Sequence, residues 1–191
     1  MFILYGYQKS IALLTLFLLL ILSGCGTTAP SISSFSPSGG TVDTAVTIVG
    51  TNFDTTAANN AVTFNGTSAT VTSSTSTEII ATVPSGATTG PISVTVNGQT
   101  ATSSSNFIVN PEITSYSPTS GSAGTTVTIT GTGFSTTTTD NSVKFNGTTA
   151  VVTSSTSTSI VTTVPSGATT GQITVTVVGQ STISSTNFTV N

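Results

Sequence analysis

Thr82-Val83-Pro84-Ser85-Gly86-Ala87-Thr88-Thr89-Gly90 returns letter for letter as Thr163–Gly171. The offset between the two copies is 81 residues, and it holds without a gap from Pro30/Pro111 to Asn110/Asn191. About 50 of the aligned pairs are identical, so the chain after its leader is one small unit written twice. The two units are residues 30–110 and 111–191. Each is near the lower size at which a domain folds alone, so most of its apolar residues are needed for a core.

Outward from the repeated loop, the pattern is short and alternating. Val46 and Ile48 fall on one face of 45–51, with Thr47 and Val49 on the other. Strands are predicted over 32–35, 45–51, 61–64, 67–73, 78–83, 92–96, 99–103 and 106–109. Ser38–Thr41 is read as a turn. Asn65-Gly66 and Asn97-Gly98 are hairpin turns, because both residue types tolerate positive φ. Prolines and glycines in 84–91 stop strand pairing there. Unit two repeats each step, with 113–116, 126–132, 142–145, 149–153, 159–164, 173–177 and 187–190 as its strands. Turn signals every 8–12 residues without a helical period predict an all-β chain of two tandem antiparallel β-sandwiches. Val46, Ile48, Phe64, Val94 and Val96 are the expected core, with Val127, Ile129, Phe145, Val175 and Val177 as equivalents.

The leader reads differently. Lys9 is its one charge, and an apolar run over 11–22 follows, too short to span a bilayer. The run ends in Leu22-Ser23-Gly24-Cys25, which resembles the lipobox of a bacterial lipoprotein precursor. The resemblance implies a signal peptide over 1–24, cleavage before Cys25, and lipidation of that cysteine. Residues 25–29 are then the lipidated Cys25 and a short tether, and the location implied is the bacterial cell envelope. Cys25 is the only cysteine in the chain, and lipidation accounts for it.

Both repeated units resemble the IPT/TIG domain, an immunoglobulin-like sandwich of bacterial surface proteins, plexins and some transcription factors. In unit one the resemblance rests on Pro30-x-Ile32, Ser36-Pro37, Val46-Thr47-Ile48, Gly50-Thr51-Asn52-Phe53, Val62-x-Phe64-Asn65-Gly66, Val83-Pro84 and Val94-x-Val96. In unit two it rests on Pro111-x-Ile113, Ser117-Pro118, Val127-Thr128-Ile129, Gly131-Thr132-Gly133-Phe134, Val143-x-Phe145-Asn146-Gly147, Val164-Pro165 and Val175-x-Val177. It implies a fold and an extracellular setting, not a ligand.

Composition excludes several chemistries. The chain has no histidine, so Ser-His-Asp and Cys-His machinery is absent. The five acids are Asp43, Asp54, Glu78, Glu112 and Asp140, and none recurs at the 81-residue offset. They read as solvated loop acids, so no enzyme, cofactor or metal is expected. Lys144 is the only basic residue after the leader, which excludes phosphate-backbone binding and so nucleic acid. The chain has no Trp, and Phe35, Phe53, Phe64, Phe107, Tyr116, Phe134, Phe145 and Phe188 all fall at repeated positions that cores require.

The expected role is non-catalytic: a monomeric, lipid-anchored surface spacer or adhesion module, held to the membrane through Cys25. The alternative is a module that binds a surface glycan or protein with loops at one sandwich end. The candidate loop is Thr137, Thr138, Thr139, Asp140 and Asn141, which replaces 56–60 of unit one and is expected to face outward. The turn 119–125 is the second candidate.

Overall fold

The computed structural model describes residues 28–191. The signal peptide with its lipobox, Cys25 and residues 26–27 of the tether lie outside the described residues. Unit one consists of β1 (Ser31–Ser36), β2 (Gly39–Gly40), β3 (Ala45–Thr51), β4 (Asn60–Phe64), β5 (Thr67–Ser74), β6 (Glu78–Thr82), β7 (Gly90–Val96) and β8 (Gln99–Val109). The alternation that predicted them also sets their facing. Along β3 the side chains of Val46 and Ile48 are fully buried while Ala45, Val49 and Thr51 are exposed.

The strands run in the order β1-β3-β6-β5-β4-β7-β8-β2, antiparallel except at the β2–β8 pair. β5 spans both layers. Thr67–Ala69 pair with β4, and Thr70–Ser74 pair with β6. Gly39-Gly40, read from sequence as a turn, forms a two-residue parallel strand on Ile108-Val109. A side chain at Gly39 would collide with the Ile108 carbonyl oxygen, 2.7 Å from its Cβ, so only glycine lets β2 approach this closely. The segments 99–103 and 106–109 are one strand, β8, bent where Ser103 Oγ takes the Ile92 N–H at 2.9 Å.

Unit two repeats this as β9 (Glu112–Ser117), β10 (Ser120–Gly121), β11 (Thr126–Thr132), β12 (Asn141–Phe145), β13 (Thr148–Ala150), β14 (Val152–Ser155), β15 (Ser159–Thr163), β16 (Gly171–Val177) and β17 (Gln180–Val190). Here the strand predicted over 149–153 is broken at Val151, and the layers separate into sheets β10-β17-β16-β12-β13 and β14-β15-β11-β9. Val151 itself replaces the Thr70 of unit one, and a second replacement packs against it. Thr162 stands where unit one has Ala81, and its side chain is fully buried. A buried hydroxyl needs a partner, and Oγ1 donates to the Val151 carbonyl at 2.7 Å, drawing that residue out of the ladder. Val151 is left 71% exposed.

Each unit has its own core. Val46, Ile48, Phe64, Val94 and Val96 belong to one cluster, and Val127, Ile129, Phe145, Val175 and Val177 to the other. At the centre of each, Phe64 meets Phe107 edge-on at 5.1 Å, and Phe145 meets Phe188 edge-on at 5.0 Å. Each sandwich is thus filled by the residues that the alternation marks.

Candidate functional site

Strand direction decides which loops share an end. β1 leaves the entrance end of unit one and β3 returns to it, so the loop 52–59 and the turn Asn97-Gly98 lie at the entrance. Asn52 Nδ2 accordingly donates to the Ala29 carbonyl at 2.9 Å. The loop 83–89 and the turn Asn65-Gly66 lie at the exit end, where Asn110 leads into unit two. Unit two repeats the arrangement, so its entrance end meets the exit end of unit one.

This corrects the expected facing of Thr137–Asn141. The loop does not point outward; it lies at the junction. Thr137 and Asp140 line a cleft of about 250 Å³ together with Asn65, Thr88 and Thr89 of unit one. Within the loop, Thr138–Asp140 form a 3-10 turn. Asn141 is 5% exposed and committed to structure: its Oδ1 accepts the Ser135 N–H at 2.9 Å, and Nδ2 donates to the carbonyls of Ser135 at 2.8 Å and Thr137 at 3.1 Å. Asn60 makes the same three bonds in unit one, to Asp54 N, Asp54 O and Thr56 O. Asn141 is therefore a loop clamp and not a recognition residue. Thr137, Thr139 and Asp140 are exposed, and Thr138 is half-buried. The second candidate, 119–125, does lie at the end of unit two away from unit one.

The loop acids brace their own turns. In unit one, Asp54 accepts the Thr56 N–H at 2.7 Å and the Asn59 amide at 3.0 Å. In unit two the acid has moved to the other side of the same bond: Ser135 Oγ donates to Asp140 Oδ2 at 3.1 Å. The Thr56 N–H, and then the Asn59 amide, hold the Asp54 carboxyl below its ordinary value of 3.8. A lowered carboxylate pKa favours the fold above that ordinary value. The contribution is lost as pH falls through the lower folded value. Among the described residues no three of His, Cys, Asp and Glu gather where they could hold a metal ion. Lys144 is exposed on the outer face of β12, as alternation requires.

Among the described residues, seven of the eight aromatics are buried, and the eighth, Phe35, is half-buried against the core. The alternation did not reveal a groove that recurs in both units, between β1 and β8 (about 180 Å³) and between β9 and β17 (about 230 Å³). It is lined by Ser and Thr residues from paired positions such as Ser103 and Ser184, together with Ile32 and Phe35 in unit one and Ile113 and Tyr116 in unit two. In unit two the Tyr116 hydroxyl reaches across it to Thr186, 2.9 Å from Oγ1. The Phe35/Tyr116 difference at the 81-residue offset was the available signal.

Comparison with known proteins places this arrangement. The IPT/TIG domain family matches residues 30–109 and 111–190. No curated protein matches the chain. A surface glycan-binding protein from Prevotella bryantii is similar over 84% of this chain and 42% of its own, at 21% identity and a TM-score of 0.52. That likeness is one of fold. A phosphatase-like structure from Bacteroides thetaiotaomicron is 32% identical over 43% of this chain and 18% of its own, with a TM-score of 0.41. An auxiliary nutrient binding protein from Bacteroides ovatus is 27% identical over 43% of this chain and 20% of its own, with a TM-score of 0.40. The chain spans less than half the length of each of these proteins.

Proposed function

The chain belongs to the IPT/TIG domain family, and from that premise we propose that it acts without catalysis, as a lipid-anchored spacer or adhesion module at the bacterial cell envelope. One observation carries this reading: every aromatic side chain of both units packs in or against a core, and only Phe35 and Tyr116 also border the groove beside β8 and β17. The supporting chemistry is negative in the same sense. The chain has no histidine, and its loop acids Asp54 and Asp140 are used as turn braces. The anchor rests on Leu22-Ser23-Gly24-Cys25. Cys25→Ala is expected to abolish acylation, leaving the protein unprocessed or released from the membrane. Membrane fractionation with mass spectrometry of the mature N-terminus checks this, and an unmodified Cys25 in the wild type contradicts it.

A second reading is a glycan-binding module, favoured by the name of the Prevotella bryantii protein whose fold this chain shares. A glycan array probed with the chain lacking its leader separates the two. The spacer reading expects no retained glycan. Retention that is lost on altering Thr137 and Asp140 in the junction cleft would replace it with the binding reading.

A further inference from the structure

We infer that Asn97-Gly98 is a site of covalent self-modification: the Asn97 side chain loses its amide to attack by the Gly98 backbone nitrogen, and the entrance end of unit one gains a carboxylate. The inference does not depend on the spacer reading.

The chain carries three Asn-Gly pairs, at 65–66, 97–98 and 146–147. Each forms a hairpin turn of the same shape. The asparagines hold φ 46, 50 and 43, and the glycines that follow hold φ 85, 78 and 91. Backbone conformation therefore does not distinguish the three, but the side-chain amides do. Asn65 Nδ2 donates to Thr88 Oγ1 at 2.8 Å and to the Thr89 carbonyl at 3.3 Å. Asn146 Nδ2 donates to Thr169 Oγ1 at 2.8 Å and to the Thr170 carbonyl at 3.2 Å. Their backbone N–H groups are held as well, by the Pro91 carbonyl at 2.8 Å and the Gln172 carbonyl at 2.9 Å. Each carboxamide lies against a glycine, Gly90 or Gly171, at which a Cβ would overlap its Cγ. Asn97 lacks these holds. It is exposed, its amide has no hydrogen-bond partner among the described residues, and Gly98 faces open space. In unit two its place is taken by Val178, which has no amide to lose.

The reaction needs the asparagine side chain to swing until Cγ meets the nitrogen of the next residue. Glycine there offers no Cβ to obstruct the approach. A bond forms between Gly98 N and Asn97 Cγ as the nitrogen gives its proton to solvent. Nδ2 leaves as ammonia, and a succinimide ring remains. Water then opens the ring. Attack at Cγ gives aspartate, and attack at the backbone carbonyl carbon gives isoaspartate, with the chain rerouted through the side chain. The balance is one water in and one ammonia out, with no oxidant or cofactor. Asn65 and Asn146 must first give up their hydrogen bonds. The expected difference in rate is about tenfold, equivalent to about 1.4 kcal/mol of hydrogen bonding surrendered before the swing.

The test follows all three pairs in one molecule. The full chain, in detergent micelles, is held at mildly alkaline pH in water enriched in heavy oxygen, which labels only the amides lost during the incubation. Pepsin digestion in acid, where ring closure is slow, and mass spectrometry then measure each pair. Asn97 is expected to convert about tenfold faster than Asn65 and Asn146, into both aspartate and isoaspartate. Thr169→Val removes the hydroxyl that holds the Asn146 amide and should speed Asn146 several-fold, while Asn65 in the other unit keeps its rate. Thr169→Ser keeps the hydroxyl and should keep Asn146 slow. Thr88→Val makes the same comparison in unit one, so a single variant that fails to fold does not decide the outcome. Equal rates at the three pairs, or locked rates that neither valine variant moves, overturn the proposal.

Discussion

Phe145→Ala is expected to destabilise unit two by about 3–5 kcal/mol, a loss comparable with the whole stability of a domain this small. The side chain is 1% exposed and sits at the centre of its cluster, edge-on to Phe188 at 5.0 Å. Truncation removes the ring's buried area and leaves a void that β strands on both sides cannot close without breaking their ladders. Because each unit has its own core, unit one should be little affected. Calorimetry should therefore show the variant losing or shifting one transition while the other stays in place. Phe64→Ala should do the converse, since Phe64 holds the equivalent position, edge-on to Phe107. An unchanged melting profile in either variant would contradict the facing assigned to these strands.

Gly131→Ala is the second large effect, and its cause is crowding where Phe145→Ala leaves a void. Gly131 lies in β11, where the pairing with β9 shifts register between Thr130 and Gly131. A Cβ there would overlap the Glu112 carbonyl oxygen and stand 2.5 Å from Phe134 Cζ. The carbonyl belongs to backbone and cannot swing away, so β9 must leave its place beside β11. Overpacking of this kind costs roughly 1–3 kcal/mol and occasionally more, and the backbone contact puts this site at the upper end. Gly50→Ala meets Ser31 in the same way and should behave alike. Denaturant unfolding checks both; a variant within about 0.5 kcal/mol of wild type, the range of ordinary surface changes, would contradict the close approach of these edges.

The residues that made the fold legible are those with one physical use. The Asn-Gly turns are such a case: Asn65 and Gly66 take φ 46 and φ 85, the positive values that only such residues adopt readily. Val46/Ile48 and Val127/Ile129 declared their faces because a strand reverses facing at every residue. The break at Val151 was not legible, since it follows from a hydroxyl at Thr162 whose partner only the tertiary structure supplies. The facing of Thr137–Asn141 could have been found. Two antiparallel strands return the chain to its starting end, so the loop after the second must lie on the entrance side, toward unit one. Treating sequence difference alone as a sign of outward facing missed this. Val178 was hidden for another reason: a valine in a turn contradicts local preference, and only the assembled structure shows that it lines the cleft between the units.

The central claim, that two sandwiches stand end to end as a spacer, is tested most directly by small-angle X-ray scattering of the chain without its leader. Strands of six or seven residues with loops at both ends give each unit about 35–40 Å, so the pair should reach roughly 70–80 Å. Such a rod has a radius of gyration of roughly 23 Å, against about 15 Å for one compact body of this length. A value near the first, with a distance distribution tailing to the full length, is the predicted result. A value near the second would mean that the units fold side by side, and would contradict the spacer.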